Sequence, residues 1–86
     1  MRRDVLYLED IVAACEDIAE FLEDTDIAGF RESKLIRSAV VQKLMVIGEA
    51  ASRISKRLKD EHSDIPWGEI AAFRFQISQG RLRRVK

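Results

Sequence analysis

Apolar side chains recur at steps of three and four residues through most of this chain, which is the spacing of one face of an α-helix. The first such stretch predicts an amphipathic helix over residues 4–23, with acidic residues between the apolar ones. Its apolar positions are Val5, Leu8, Ile11 or Val12, Cys15, Ile18 or Ala19, and Leu22. Turn-forming residues within 24–29 end the pattern, and this short connection predicts an antiparallel neighbour.

A longer helix is predicted over residues 32–59. Its apolar stripe consists of Ile36, Val40, Leu44, Ile47, Ala51, Ile54 and Leu58. In the middle of this stretch, apolar residues spread beyond the stripe, so we expect the helix to be covered on two sides. We interpret the extra apolar face as a contact between two copies of the chain.

A third helix is predicted to begin at Pro66. Polar turn formers accumulate in residues 60–66, and Pro66 pushes Ile65 out of the α region, so the long helix must end before it. Proline suits the first turn of a helix, and Gly80 suits the residue after a helix end. The predicted fold is therefore all-α: an antiparallel bundle of three helices that forms one domain over residues 1–86 and dimerises.

Composition and length agree with a small helical domain. The 86 residues are 47% hydrophobic and 35% charged, which is typical of a globular rather than a disordered chain. A domain of this size buries only roughly 60 to 65% of the surface that its unfolded chain exposes. Self-association would bury more of that surface and is therefore expected.

Charge is distributed unevenly along the chain, although the net charge is zero. Residues 1–73 hold ten Lys or Arg against fifteen Asp or Glu, whereas residues 74–86 hold five basic residues and no acidic one. The basic end, GRLRRVK, could bind phosphate groups through counterion release. A solvated chain terminus is the alternative interpretation.

The sequence contains no recognisable metal or cofactor motif. A single Cys15 and a single His62 cannot build a zinc centre, and the isolated glycines form no phosphate-binding loop. Cys15 falls in the apolar pattern of the first helix, where a free cysteine behaves as a small hydrophobe. The N-terminus lacks a signal-peptide core and charges interrupt every apolar run, so we expect a cytoplasmic protein without a membrane span.

Three polar side chains in helical segments are candidates for a site. Glu49 lies in a largely apolar stretch with Arg53 one turn further on, which is the spacing of an exposed ion pair. If both sides of the helix are covered, Arg74 from the third helix is the alternative partner for Glu49. The guanidinium of Arg74 could instead hold a phosphate bidentately.

The segments IGEAASRIS and IPWGEIAAFR, followed by Gly80, resemble the HepT-like family of HEPN-domain proteins. The resemblance covers nearly the whole chain. It implies a dimeric bundle of four helices, of which a chain that stops at Lys86 would lack the last. It also implies a partner, a minimal MntA-like nucleotidyltransferase, which acts as the antitoxin to a HepT toxin.

The same resemblance implies a metal-independent ribonuclease site at a dimer groove. In the family, an Arg and a His separated by four residues form the RNA-cleaving site, and the nucleotidyltransferase silences it by attaching AMP to a Tyr two residues after the His. Arg74 matches the Arg, but Phe75 replaces a polar neighbour, Gln79 stands at the His position and Arg81 at the Tyr position. Gln cannot move a proton near neutral pH, and Arg81 has no phenol to accept AMP.

These residues lead to two functional hypotheses. The first is a HepT toxin subunit with an incomplete catalytic motif, whose groove binds RNA and is supported by the polar pair Glu49 and Arg53. Its RNA contacts would be Arg74 and the tail residues Arg81, Arg83 and Arg84. The alternative is a non-enzymatic helical interaction module that binds a nucleotidyltransferase partner or a nucleotide. A remnant without a present role is a third interpretation. In each interpretation, residues 73–86 are an altered or truncated motif region with a basic tail.

Overall fold

The computed structural model describes residues 2–78, apart from the side chains of Arg2, Arg74 and residues 76–78. Within this range the chain forms five α-helices and no β-strand. Their bounds are α1 Arg2–Phe21, α2 Ile27–Glu32, α3 Lys34–Arg53, α4 Lys56–Glu61 and α5 Trp67–Ser78. The prediction of an all-α fold is confirmed. The prediction of three helices is wrong, because two short helices were missed.

The central element is α3, against which α1, α2 and α5 all pack. The most buried apolar side chains are Ala14 of α1, Val40, Ala50 and Ala51 of α3, and Ile54 just after it. α1 runs antiparallel to α3, since Asp4 bonds to Ser55 while Asp17 pairs with Lys43. Helices of the same chain thus cover α3, and a dimer contact on this helix stays a prediction.

The connection predicted as a turn contains α2. The Asp26 carboxylate caps α2 by accepting a hydrogen bond from the Gly29 amide at 2.7 Å. Ser33 ends α2 by donating its amide to the Gly29 carbonyl, and its hydroxyl begins α3 by accepting from the Ile36 amide at 3.1 Å. Each such cap contributes about 1 kcal/mol. Two adjacent caps are what make a helix of six residues possible here.

The long helix predicted over residues 32–59 is broken at Ile54 and Ser55. Both residues adopt extended backbone conformations, and Ser55 then caps α4 by accepting from the Leu58 amide at 3.2 Å. The Ser55 amide donates to the carboxylate of Asp4 instead of to a helical carbonyl. Ile54 is only 4% exposed, so the break places an apolar side chain in the core.

The orientation of α1 corrects the predicted apolar stripe. Val5 and Val12 are 53% and 56% exposed, and Cys15 is exposed rather than part of the core. The buried positions are Asp4 and Ala14 instead. α1 carries two apolar stripes of nearly the same period, and the one that contacts α3 is rotated away from Val5, Val12 and Cys15.

No helix in residues 2–78 is both long enough and apolar enough to cross a membrane.

Candidate functional site

Hydrogen bonds fix the start of α5, the helix that carries the candidate motif. The His62 carbonyl accepts from the Ile65 amide and from the Trp67 indole, each at 3.1 Å. The Ile70 amide donates to the Pro66 carbonyl at 3.0 Å, which closes the first turn. The prediction of a third helix opening at Pro66 is confirmed to within one residue. The Pro-Trp block therefore acts as a rigid helix start.

The predicted site residues fall partly inside and partly outside the described range. Arg74 lies in the second half of α5. Phe75, at the position where a polar residue was expected from the resemblance, is 55% exposed. The other predicted contacts, Gln79, Arg81, Arg83 and Arg84, lie outside the described residues.

Glu49 and Arg53 form an ion pair along one turn of α3. The Nε and Nη2 atoms of Arg53 lie 2.8 and 2.7 Å from the same carboxylate oxygen of Glu49. Both side chains are about half exposed, at 45% for Glu49 and 58% for Arg53. The spacing of four residues thus produces the exposed pair that the sequence offered as one interpretation, and such pairs contribute only a few tenths of a kcal/mol.

This ion pair lines an open groove of about 450 Å³ between α1 and α3. The groove is lined by Tyr7 and Asp10 of α1 and by Gln42, Met45, Val46, Glu49, Ala50 and Arg53 of α3. Its lining includes two carboxylates but only one guanidinium, so its net charge does not attract a phosphate backbone. The described side chains of this groove therefore do not favour RNA binding.

A buried polar pair joins the start of α1 to the start of α4, and the sequence analysis did not find it. The Asp4 carboxylate accepts from the Ser55 hydroxyl at 2.6 Å and from the Ser55 amide at 2.9 Å. These two bonds, the hydroxyl first, lower the pKa of Asp4 below its ordinary value of 3.8. The Ser55 hydroxyl also accepts a hydrogen bond from the Leu58 amide, so it both binds Asp4 and caps α4. The role of the pair is therefore to stabilise the fold.

One signal for this pair was present in the sequence. Asp4 falls at the same helical register as Leu8 and Ile11, so it is a polar residue on the face that packs against α3. A buried carboxylate requires donors, and a Ser at a helix start supplies two of them.

A metal centre finds no support in the described part of the chain, where no three His, Cys, Asp or Glu side chains cluster closely enough to hold an ion.

Together, the central helix α3, the capped junctions and the helix opened by Pro66 and Trp67 define a class of small all-helical proteins. The chain belongs to the HepT-like family, described as Ribonuclease HepT-like, whose family model matches residues 11–80. This range includes α5 and Arg74. The resemblance noted in the sequence is thereby confirmed.

Named relatives agree with this assignment. "Putative RNase MJ1380" of Methanocaldococcus jannaschii is 36% identical over 74 residues, which cover 85% of this chain and 68% of the relative. "Probable ribonuclease HepT" of Thermococcus cleftensis is 41% identical over 71 residues, covering 83% and 64% of the two chains. The chain thus spans about two thirds of the length of these relatives. No solved structure shows a significant match.

Proposed function

We propose that this chain is a HepT-type toxin subunit that binds RNA as a homodimer and pairs with an MntA-like nucleotidyltransferase. The observation that carries the proposal is the family match over residues 11–80, which contains Arg74 on α5. Two relatives carry names that describe them as ribonucleases. An arginine in this position can hold an RNA phosphate through two parallel hydrogen bonds.

In this proposal, RNA binding and RNA cleavage depend on different residues. Arg74 supplies the guanidinium that binds and neutralises a phosphate, and Arg81, Arg83 and Arg84 add positive charge after it. Cleavage also requires a group that moves a proton from the ribose hydroxyl, and Gln79 has no titratable group. We therefore expect the chain to bind RNA without cutting it efficiently.

A cleavage assay on the Gln79→His variant tests this separation. Wild type, Gln79→His and the matched control Gln79→Asn are incubated with a single-stranded RNA in the presence of EDTA, because the proposed chemistry needs no metal. We expect cleavage by the His variant alone, since it alone gains a side chain that titrates near neutral pH. Cleavage by none of the three proteins would contradict the proposal that Gln79 is what prevents cleavage, and cleavage by the wild type would contradict the separation of binding from cleavage.

The position of Arg81 bears on control by the partner. AMP transfer requires a hydroxyl acceptor, which arginine lacks. With an MntA-like enzyme and ATP, we expect an Arg81→Tyr variant to gain the mass of AMP and the wild type to stay unmodified. Modification of the wild type at any residue would show that control does not depend on position 81.

A further inference from the structure

α1 exposes an apolar stripe with a seven-residue repeat. We call this stripe the α1 seam and define it as Val5, Val12, Cys15 and Ala19, all of which are exposed. Val5, Val12 and Ala19 are seven residues apart, and Cys15 lies three residues after Val12, which is the a/d spacing of helices that pair. Single exposed apolar residues are ordinary, but an ordered row along about four turns indicates a contact surface.

Acidic side chains flank the α1 seam. Glu9, Glu16 and Glu23 repeat at the same interval of seven residues, each four positions after a residue of the seam, and all three are exposed. From residue 4 to residue 30 the sequence contains nine acidic residues and no basic one. From Asp4 onward, the charged side chains of the helix that carries the seam are therefore all negative.

This charge excludes one simple occupant of the seam. If α1 paired with α1 of a second copy, rows of glutamate would face each other, and like charges at these flanking positions oppose pairing. A basic segment with apolar side chains at close spacing is the complementary partner. The chain itself contains one such segment, because residues 81–86, RLRRVK, hold four basic residues around Leu82 and Val85.

We propose that the α1 seam of one copy binds residues 81–86 of a second copy. Leu82 and Val85 would cover Val5 and Val12, while the arginines and lysine pair with Glu9 and Glu16. RNA and the seam would therefore compete for these basic side chains, and Arg74 remains the phosphate contact of the proposed function. A twofold axis would repeat the contact, so each copy gives one seam and one basic segment. This proposal rests on the homodimer of the proposed function and assigns it a surface.

Complementary charge reversals provide the test. One variant carries Glu9→Lys with Glu16→Lys, and the other carries Arg83→Glu with Arg84→Glu. We expect each variant alone to dissociate, with a rise of about tenfold or more in the dimer dissociation constant by sedimentation equilibrium. An equal mixture should associate again, since the reversed seam of one protein then faces the reversed segment of the other.

Controls separate this contact from a general effect of charge and from failure to fold. Asp64→Lys with Glu69→Lys makes the same change in net charge at two exposed positions outside the seam, and it should leave the dimer unchanged. Circular dichroism must show native helicity for every variant. At the exposed helix positions Glu9, Glu16 and Glu69 this is expected, because Lys and Glu have similar helix propensity. A monomeric wild type, or a mixture that stays monomeric, would overturn the proposal.

Cysteine cross-linking supplies a second measurement, because Cys15 is the only cysteine and lies on the seam. In a Val85→Cys variant, mild oxidation should join Cys15 of one copy to residue 85 of the other, and isotope-labelled mixtures show whether the link is between chains. The control variant Asp64→Cys should not form the link. A Cys15 link to residue 85 within one chain would overturn docking between copies.

RNA binding distinguishes a failure here from a failure of the proposed function. Arg74 lies outside residues 81–86, so Arg74→Ala should keep the dimer and lose RNA affinity. A monomeric wild type that still binds RNA through Arg74 would refute this dimer surface and leave RNA binding intact.

Discussion

The segment from Asp4 to Glu61 and the helix α5 differ in what their polar groups do. In the first region, polar side chains connect elements to one another: Asp4 binds Ser55, Asp26 caps α2 and Asp17 pairs with Lys43. In α5 the described side-chain hydrogen bond lies at the helix start, where the Trp67 indole donates to the His62 carbonyl. The candidate chemistry lies beyond that start, at Arg74.

This difference separates the fold from the proposed site. The capping residues Asp26, Ser33 and Ser55 all precede α5, whereas the proposed site begins at Arg74. In the proposed function, the fold and the site can therefore change independently. Substitutions in each region test this separation, because only those in the first region should change stability.

The largest effect is expected from Ile54→Ala. Ile54 is 4% exposed at the break between α3 and α4, and truncating a buried Ile typically costs about 2 to 5 kcal/mol. That is a large part of the stability of a small domain. Urea unfolding followed by circular dichroism and by the fluorescence of Trp67, the only tryptophan, measures the change.

Leu35→Ala is the matched control for this substitution. Leu35 is 81% exposed on α3, so its truncation should change the free energy of unfolding by no more than about 0.5 kcal/mol. Equal losses from the two variants would contradict the location of the core.

Arg74→Ala should lower RNA affinity and leave stability nearly unchanged. We expect RNA affinity to fall about tenfold, equivalent to roughly 1.4 kcal/mol, because one charged phosphate contact is lost. The melting temperature should stay within about 3 °C of the wild type. Fluorescence anisotropy with labelled RNA and a thermal melt measure the two quantities.

Arg57→Ala serves as its control, since Arg57 is an exposed arginine of α4 outside the proposed site. If both variants weaken RNA binding equally, the affinity reflects general charge rather than a site on α5.

A smaller stability effect than that of Ile54→Ala is expected from Ser55→Ala, which removes the cap of α4 and also the hydroxyl that donates to Asp4. The loss of the cap alone costs about 1 kcal/mol, or a fall of roughly 4 to 8 °C in melting temperature for a domain of this size. Ser63→Ala changes an exposed serine in the next turn and should have little effect. RNA affinity measured well below the melting temperature should be the same for both variants.

Acid sensitivity tests the carboxylate that Ser55 binds. The hydrogen bonds from Ser55 lower the folded-state pKa of Asp4, so its contribution to stability is fully present above its unfolded pKa, near 3.8. The contribution is lost as pH falls through the lower folded pKa. The difference in stability between wild type and Asp4→Asn should therefore shrink on acidification below about pH 4. A difference that stays constant would show that Asp4 keeps its ordinary pKa.

Local signals in the sequence predicted some elements well and missed others for a physical reason. The helix after Pro66 was predictable because proline and the following apolar pattern act locally. The break at Ser55 was not, because its partner Asp4 lies 51 residues away. The same distant contact fixes which apolar stripe of α1 is buried, and two stripes of nearly equal period cannot be distinguished from sequence alone. The placement of Arg74 on α5 followed from the local pattern.

The smallest effect is expected from the ion pair between Lys43 and Asp17, which joins α3 to α1 at 2.9 Å. Its side chains are 31% and 44% exposed, so water and salt screen much of the attraction. A double-mutant cycle with Lys43→Ala and Asp17→Ala should give a coupling energy of about 0.2 to 1 kcal/mol that falls as salt is added. The pair Lys56 and Asp60 is more exposed, at 89% and 64%, and lies within α4, so it should show less coupling than the pair that joins two helices. A larger coupling energy for Lys56 and Asp60 would contradict the view that ion pairs between helices stabilise this fold more than ion pairs within a helix.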